Sequence, residues 1–320
     1  VVHNHDGREY VLRCLHSVMH SNYQRIEVIL VDNASRDGSL ELAVDRFGLD
    51  TRLVVVRLHH DFGAASGRNI GAARAKGNYI LFLDEDVELG PLCIEQFVEA
   101  MDENRGGPVG AVGMSKFPGF YMDYLGNEVH TVERGKTGAL ERRATEVFGV
   151  YACACMVRKD VFHSVGGFDP DFFVLREDTD LCWRIHLAGY RVLSIPRARV
   201  YHRGRKSHTV GRGPRSLYLT TRNRIIMLAK NYGSTNVMLF VPLAVVLSIV
   251  GAVLLSFASK LGDFKGIVKA LTWSVWHSGG IMTKRLVTQR QRAIPDALLM
   301  STGLIRKPNF GLLFDNIRNR

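Results

Sequence analysis

Three groups of side chains in this sequence have the types and spacing to do chemistry. Asp84-Glu85-Asp86 follows the apolar run Tyr79–Leu83. Clustered carboxylates at a strand end are hard oxygen ligands for Mg²⁺ or Mn²⁺, which in turn hold a diphosphate. A solvated acidic turn is the plainer alternative. Glu177-Asp178-Thr179-Asp180 opens a helical pattern. Acids in a first helical turn complement the helix dipole, and a carboxylate stabilised in this way is expected to be a weaker base. A modest base still serves where the attacking hydroxyl loses its proton late. Helix-start chemistry does not account for Gly166-Gly167-Phe168-Asp169 standing close before this cluster. His202 follows a short strand, where an imidazole can ligate a divalent metal; an ordinary surface or core histidine is the alternative. Arg203, Arg205 and Lys206 beside it suit phosphates or a basic face near a membrane.

These residues need elements to position them. Apolar spacing predicts a helix over Arg8–Asn22, a buried strand over Ile26–Val31, a helix over Gly38–Phe47 and a strand over Leu53–Val56. A helix over Ala64–Lys76 and a buried strand over Tyr79–Leu83 follow. Strands separated by helices mean βαβ units and a parallel sheet. Ligands of such sheets sit at the carboxyl ends of the strands. There the sequence has Asn4-His5-Asp6-Gly7, Asp32-Asn33-Ala34-Ser35 and Asp84-Glu85-Asp86. Residues 108–175 are less regular. Glu177–Ala188 reads as a helix, and Arg191–Ile195 and Ala198–Tyr201 as short strands. The first strand starts mid-element, so a few residues are expected to precede Val1, and no signal peptide is visible.

The 320 residues suffice for one large α/β domain with an appendage. Five scattered cysteines without a C-x-x-C pair argue against a zinc ribbon and for a reducing compartment. The formal charge of +11 suits nucleic acid, anionic lipid or a phosphorylated small molecule. Its placement favours lipid over a DNA groove. Residues 199–230 hold nine Lys/Arg and no acid, residues 231–259 hold no charge, and residues 284–320 hold eight Lys/Arg against two Asp. A basic, an apolar and a second basic stretch form the pattern of a membrane anchor with cytoplasmic flanks. Residues 236–258 are long enough to cross a bilayer. Residues 267–282, with Trp273 and Trp276, are a weaker second segment that could lie in the interface, cross, or close a re-entrant hairpin.

Taken in order, Asn4…Gly7, Val31-Asp32-Asn33 through Asp37-Gly38-Ser39, Gly67-Arg68-Asn69-Ile70-Gly71, Asp84-Glu85-Asp86, Gly166…Asp169, Glu177-Asp178-Thr179-Asp180 and His202 resemble glycosyltransferase family 2. The likeness is to its rhamnosyltransferase-like, membrane-associated branch and covers roughly residues 1–230. It implies an α/β GT-A fold, a Rossmann-like nucleotide-binding sheet fused to an acceptor half, with membrane-associated C-terminal helices. It also implies inverting transfer of a sugar from a nucleotide-diphosphate sugar to an acceptor hydroxyl, and the anchor pattern adds the expectation of a lipid-linked glycan acceptor at the cytoplasmic face of the cell membrane. By the same resemblance Asn4, Asp6, Asp32, Asn69, Asp84 and Asp86 hold the donor. Asp84, Asp86 and His202 hold Mg²⁺ or Mn²⁺, and Asp178 is the general base. His5-Asp6, Asp61 and Val174-Leu175-Arg176 depart from the family pattern, the last on the acceptor side.

The domains expected are a catalytic unit over 1–215 (donor half 1–107, acceptor half 108–215), a basic amphipathic segment over 216–235, a transmembrane or re-entrant helix over 236–258, and an interfacial or second membrane helix with a basic tail over 259–320. An Arg-rich lid is expected over 203–215. The expected partners are the donor, the acceptor and membrane lipids, with no nucleic acid. A sugar-phosphate nucleotidyltransferase and a non-catalytic, membrane-tethered glycan-binding protein are the competing readings.

Overall fold

The computed structural model describes all residues except 104–105, 115–118, 132–143, 204–212, 258–260 and 308–320. The expected lid falls largely within 204–212, and the end of the basic tail within 308–320, so both lie outside the described residues. The first half alternates as the apolar spacing predicts: β1 (Val2–Asn4), α1 (Val11–Met19), β2 (Val28–Asn33), α2 (Ser39–Phe47), β3 (Leu53–Leu58), α3 (Gly63–Ala72) and β4 (Tyr79–Asp84). There follow β5 (Val87–Leu89), α4 (Cys93–Asp102), β6 (Val109–Gly113), β7 (Gly119–Asp123), β8 (Glu128–Thr131), β9 (Thr145–Glu146), β10 (Ala154–Arg158), α5 (Lys159–Ser164), α6 (Glu177–Leu187), β11 (Arg191–Ser194) and β12 (Val200–His202). The chain continues with α7 (Pro214–Asn231), α8 (Ser234–Phe257), α9 (Leu261–Trp276), α10 (Ser278–Arg290), α11 (Asp296–Ser301) and β13 (Ile305–Arg306).

The main sheet has the order β3-β2-β1-β4-β10-β6-β11-β9. Strands β1 to β4 pair in parallel, so the parallel expectation holds for the first half. It fails beyond, because β10 runs antiparallel between β4 and β6. The sheet is therefore mixed. Side chains from α1, α2 and α4 cover one face, among them Leu15, Leu40 and Phe97, and side chains from α3, α5 and α6 cover the other, among them Ala65, Phe162 and Ile185. Burial on both faces explains why β2 and β4 read as nearly continuous apolar runs.

A third core joins α6 to the C-terminal helices. Trp183 packs edge-on against Tyr232, with ring centroids 4.8 Å apart, and Phe240, Ile281 and Leu299 close around them. A basic, lipid-facing surface was the expectation for the region of α7. Instead Lys230 is buried and bonds Asp169 at 2.8 Å and Asp180 at 2.9 Å. Arg222 is buried as well, and Arg224 bonds Ser248 at 2.7 Å. The counterions come from residues about 50 positions away, which a linear charge pattern cannot reveal.

Helix α8 has 24 residues, about 36 Å at the usual helical rise. Only Phe240, Ala244, Ser248 and Ala252, one residue every turn, are buried. Leu239, Leu243, Val246, Ile249, Val250, Val253 and Leu254 are exposed. It is the one helix among the described residues long and apolar enough to cross a membrane. The weaker segment 267–282 is not one helix: it is divided between α9 and α10, with His277 between them. Neither part supplies the roughly 20 residues of a crossing.

The Lys230 pair ties the catalytic half to the helices. Replacing Lys230 by Ala leaves Asp169 and Asp180 buried without that partner, a change worth about 3–5 kcal/mol. Urea unfolding of detergent-solubilised K230A should show a loss of this size.

Candidate active site

Where β1 and β4 end, the sheet opens into a cleft of about 500 Å³. Asp84, Asp86, His202, Glu128, Asp178 and Leu175 all line it. Thus the three separated groups singled out in the sequence share one cavity.

Main-chain pairing delivers His202. Strand β12 runs antiparallel to β5, with His202 opposite Val87, directly after Asp86. The imidazole Nε2 then lies 3.3 Å from Asp86 Oδ1, and the Arg203 N–H donates to the Asp86 carbonyl at 3.0 Å. The Arg203 guanidinium bonds Glu88 at 3.0 Å. Asp84 is engaged differently. Arg68, buried on α3, donates to Asp84 Oδ1 at 2.6 Å and to Glu177 Oε1 at 2.7 Å. The guanidinium also lies over the Phe168 ring, 5.6 Å from its centroid.

This arrangement bears on metal binding. Asp86 and His202 combine a hard oxygen and an imidazole nitrogen at touching distance, a fit for two positions of a Mg²⁺ or Mn²⁺ shell. Asp84, expected as a third ligand, has one oxygen bound to Arg68. Among the described residues no set of three His, Cys, Asp or Glu side chains is placed to hold a metal ion.

Asp178 is the second residue of α6. Its carboxylate accepts from the backbone N–H of Thr179 at 2.8 Å and of Ala152 at 3.2 Å. These bonds favour the charged form, but burial and the nearby Glu177 and Glu128 outweigh them and push the group up to about 7. The helix start does not make Asp178 a weaker base, as its position alone suggested; its surroundings make it a stronger one. Glu128 accepts from the Thr179 hydroxyl at 2.5 Å.

The backbone before α6 is strained. Phe173, Leu175 and Arg176 have φ values of 60°, 72° and 69°. At Phe173 (ψ −64°) the Val174 N–H reaches back to the Phe172 carbonyl at 2.6 Å, the rare hand of γ-turn. Gly63 accommodates it: a Cβ there would fall 2.5 Å from the Phe173 carbonyl oxygen. Such backbone collects at functional sites.

The other residues expected to bind the donor do not line this cleft. Asn4 and Asp32 are buried where β1 and β2 end: the Asn4 amide donates to Asp32 at 2.8 Å and to Ser39 at 2.9 Å, and Asp32 accepts from the Ser35 N–H at 3.2 Å. Asp6, with φ 54°, accepts from the Arg36 N–H at 2.6 Å. Asn69 clamps Phe168 by two bonds, donating to its carbonyl at 2.7 Å and accepting from its N–H at 2.9 Å. That explains why Gly166-Gly167-Phe168-Asp169 stands close before the acidic cluster: it is the turn that Asn69 and Lys230 hold. Sequence reasoning missed Arg68, Glu128, Tyr151 and His3, all of which line the cleft. Arg68 stood inside a motif already noted, and His3 at a strand end; Glu128 and Tyr151 lie in the irregular middle and carried no signal.

Residues 1–166 match the model of the family described as Glycosyl transferase family 2. The chain belongs to this family. Membership sets aside the nucleotidyltransferase reading and makes this glycosyltransferase's cleft a candidate for sugar transfer. The chain is 27% identical over 233 residues to the N-acetylglucosaminyl-diphospho-decaprenol L-rhamnosyltransferase of Mycobacterium tuberculosis, an alignment that covers 64% of this chain and 74% of that protein. Its fold is similar to that of GalNAc-T7 bound to UDP, GalNAc and Mn²⁺, with a TM-score of 0.60, 18% identity and coverage of 73% of this chain and 48% of that one. It is also similar to that of the mannosyltransferase PcManGT of Pyrobaculum calidifontis bound to GDP-Man and Mn²⁺, with a TM-score of 0.52, 16% identity and coverage of 91% and 85%. These likenesses show the GT-A-type fold.

The raised Asp178 has a consequence for stability. A carboxyl group whose folded value lies above its unfolded one binds more protons when folded, so stability falls as pH rises between the two values, from about 4 to about 7. Asp178→Asn removes this cost. The Tm of D178N should exceed that of the unmodified protein at pH 8 and match it near pH 4, by calorimetry in the same detergent.

Proposed function

We infer that this glycosyltransferase moves a sugar from a nucleotide-diphosphate sugar to a hydroxyl of a glycan acceptor, with inversion at the anomeric carbon. The observation that carries this reading is the placement of Asp178 in the same cleft as the Asp86–His202 pair. Breaking a sugar–diphosphate bond leaves negative charge on the departing phosphate. Asp86 and His202 would hold the divalent cation whose chemistry is to offset that charge. Arg68 holds Asp84 in place for the donor. Asn4, Asp6 and Asp32 form the adjoining end of the sheet, where base and ribose would rest, and Asn69 supports that wall through Phe168.

Asp178 removes the proton of the attacking hydroxyl. A base near 7 is matched to neutral pH, where it is substantially ionised yet still basic enough to accept a proton. Direct attack from the face opposite the leaving group needs no covalent sugar–enzyme species and inverts the anomeric centre.

The acceptor proposed is a lipid-linked glycan in the synthesis of a cell-surface polysaccharide. The exposed apolar surface of α8 supports it, and so does the name of the mycobacterial relative, whose substrate is built on a polyprenyl diphosphate. On this reading residues 1–215 form the catalytic unit at the cytoplasmic face, with its donor half over 1–107 and acceptor half over 108–215. Helix α8 is held in the membrane, and the helices after it pack back on the catalytic unit.

The test is transfer from UDP-N-acetylglucosamine, GDP-mannose and dTDP-rhamnose, each with Mn²⁺, to polyprenyl-diphosphate-linked N-acetylglucosamine. D178N should lose transfer by about 10²–10⁴-fold while the donor still raises its Tm. The unmodified enzyme should lose activity as pH falls through about 7. Full transfer by folded D178N would remove Asp178 from the mechanism, and donor binding without turnover by the unmodified chain would favour the glycan-binding reading.

A further inference from the structure

The strained turn at 172–176 takes one bond from α3, where the Ala65 N–H donates to the Phe173 carbonyl at 3.1 Å, and several more from α7. Asn223, fully buried on α7, points its amide at it and donates to the carbonyls of Phe172 at 3.0 Å, Val174 at 3.0 Å and Leu175 at 2.7 Å. Three carbonyls from five consecutive residues thus converge on one NH₂ group, which is the shape that three positive φ values impose. The amide oxygen is fixed in turn: it accepts from Arg222 Nε at 3.0 Å and Nη2 at 2.9 Å. Arg222 also donates to the Asp171 and Phe172 carbonyls. Its guanidinium is sandwiched between Tyr218, 5.1 Å away, and Trp273 of α9, 4.9 Å away. Within the turn Val174 and Leu175 line the cleft, and Asp178 follows it.

We propose that Asn223 is a positioning residue for sugar transfer: through its three bonds it holds the Phe172–Arg176 turn in the shape that forms the acceptor wall and aims Asp178 into the cleft. The role is one of donor count and direction. The turn carbonyls face inward and need N–H groups, an ionised carboxylate at this position would meet them with acceptors only, and an aliphatic side chain would leave them bare. The hydrogen bonds of the Asn223 side chain go to the 172–175 backbone and to Arg222, so its loss should fall first on the acceptor side. Since Arg222, which orients it, rests on Trp273, the C-terminal helices take part in shaping the cleft.

This inference rests on Asp178 acting as the base, and the experiment separates the two. Asn223→Ala and Asn223→Ser are prepared in the full chain in detergent micelles, with D178N in parallel. Amide hydrogen exchange should speed up over 172–178 in N223A and stay unchanged over 28–33 and 79–84. With the donor that the unmodified enzyme turns over, N223A should lose about 100-fold in kcat, as for an ångström-scale misplacement, with its KM for donor unchanged; N223S, which keeps one donor group, should lose less. Unchanged exchange over 172–178, or a donor KM that worsens in step with kcat, would overturn the proposal. If N223A does not fold, N223S carries the same comparison, and failure of both to fold would make Asn223 a fold determinant and overturn it as well. Inactive D178N beside a fully active N223A would sink this inference alone; active D178N would sink the base assignment, leaving Asn223 to be judged by exchange.

Discussion

The site depends on one buried cation. Its cleft gathers Asp84, Glu85, Asp86, Glu128, Glu177 and Asp178, and like charges brought together out of water repel strongly. Arg68 makes the gathering possible. Its forked guanidinium joins Asp84, at the end of β4, to Glu177, at the start of α6. The two carboxylates are held by one guanidinium, at 2.6 Å and 2.7 Å. A lysine could not replace it, since a single ammonium lacks two parallel donor edges. Asp178 receives no such partner. Within this acidic cluster Asp178 is the group that burial and the neighbouring Glu177 and Glu128 push up to about 7.

Much of this was legible in the sequence. The βαβ alternation was visible because the β2 and β4 runs are buried on both faces, and ligand residues in such sheets follow the strands. The acidic groups and His202 stood out by type and order. What was not legible depends on non-local pairing. The antiparallel β10 carries no mark of its direction, because a strand's orientation is set by the path of the chain outside it. Glu128 and Tyr151 are placed by packing against α6. The base strength of Asp178 was read in the wrong direction because helix position is local, whereas Glu128 and the burial come from elsewhere. Asn69, noted only as part of a motif, proves to clamp the Phe168 turn.

The charge pattern illustrates the same divide. Nine Lys/Arg over 199–230 resemble a membrane-facing surface when read along the chain. In the fold, Lys230 and Arg222 turn inward, where they meet Asp169, Asp180 and the carbonyls of the strained turn. The apolar character of α8 needed no partner to be recognised, and its exposure agrees with the reading. Basic residues say where a chain could face lipid; only their counterions say whether they do.

The ribbon of β5 and β12 has a consequence for how such an enzyme can diverge. His202 reaches Asp86 through hydrogen bonds between main-chain atoms, which are blind to side-chain identity. The long excursion between the two strands can therefore change in length and composition without moving the imidazole. Selection is free to rebuild the wall of the cleft between these strands while the corner made by Asp86 and His202 remains the same.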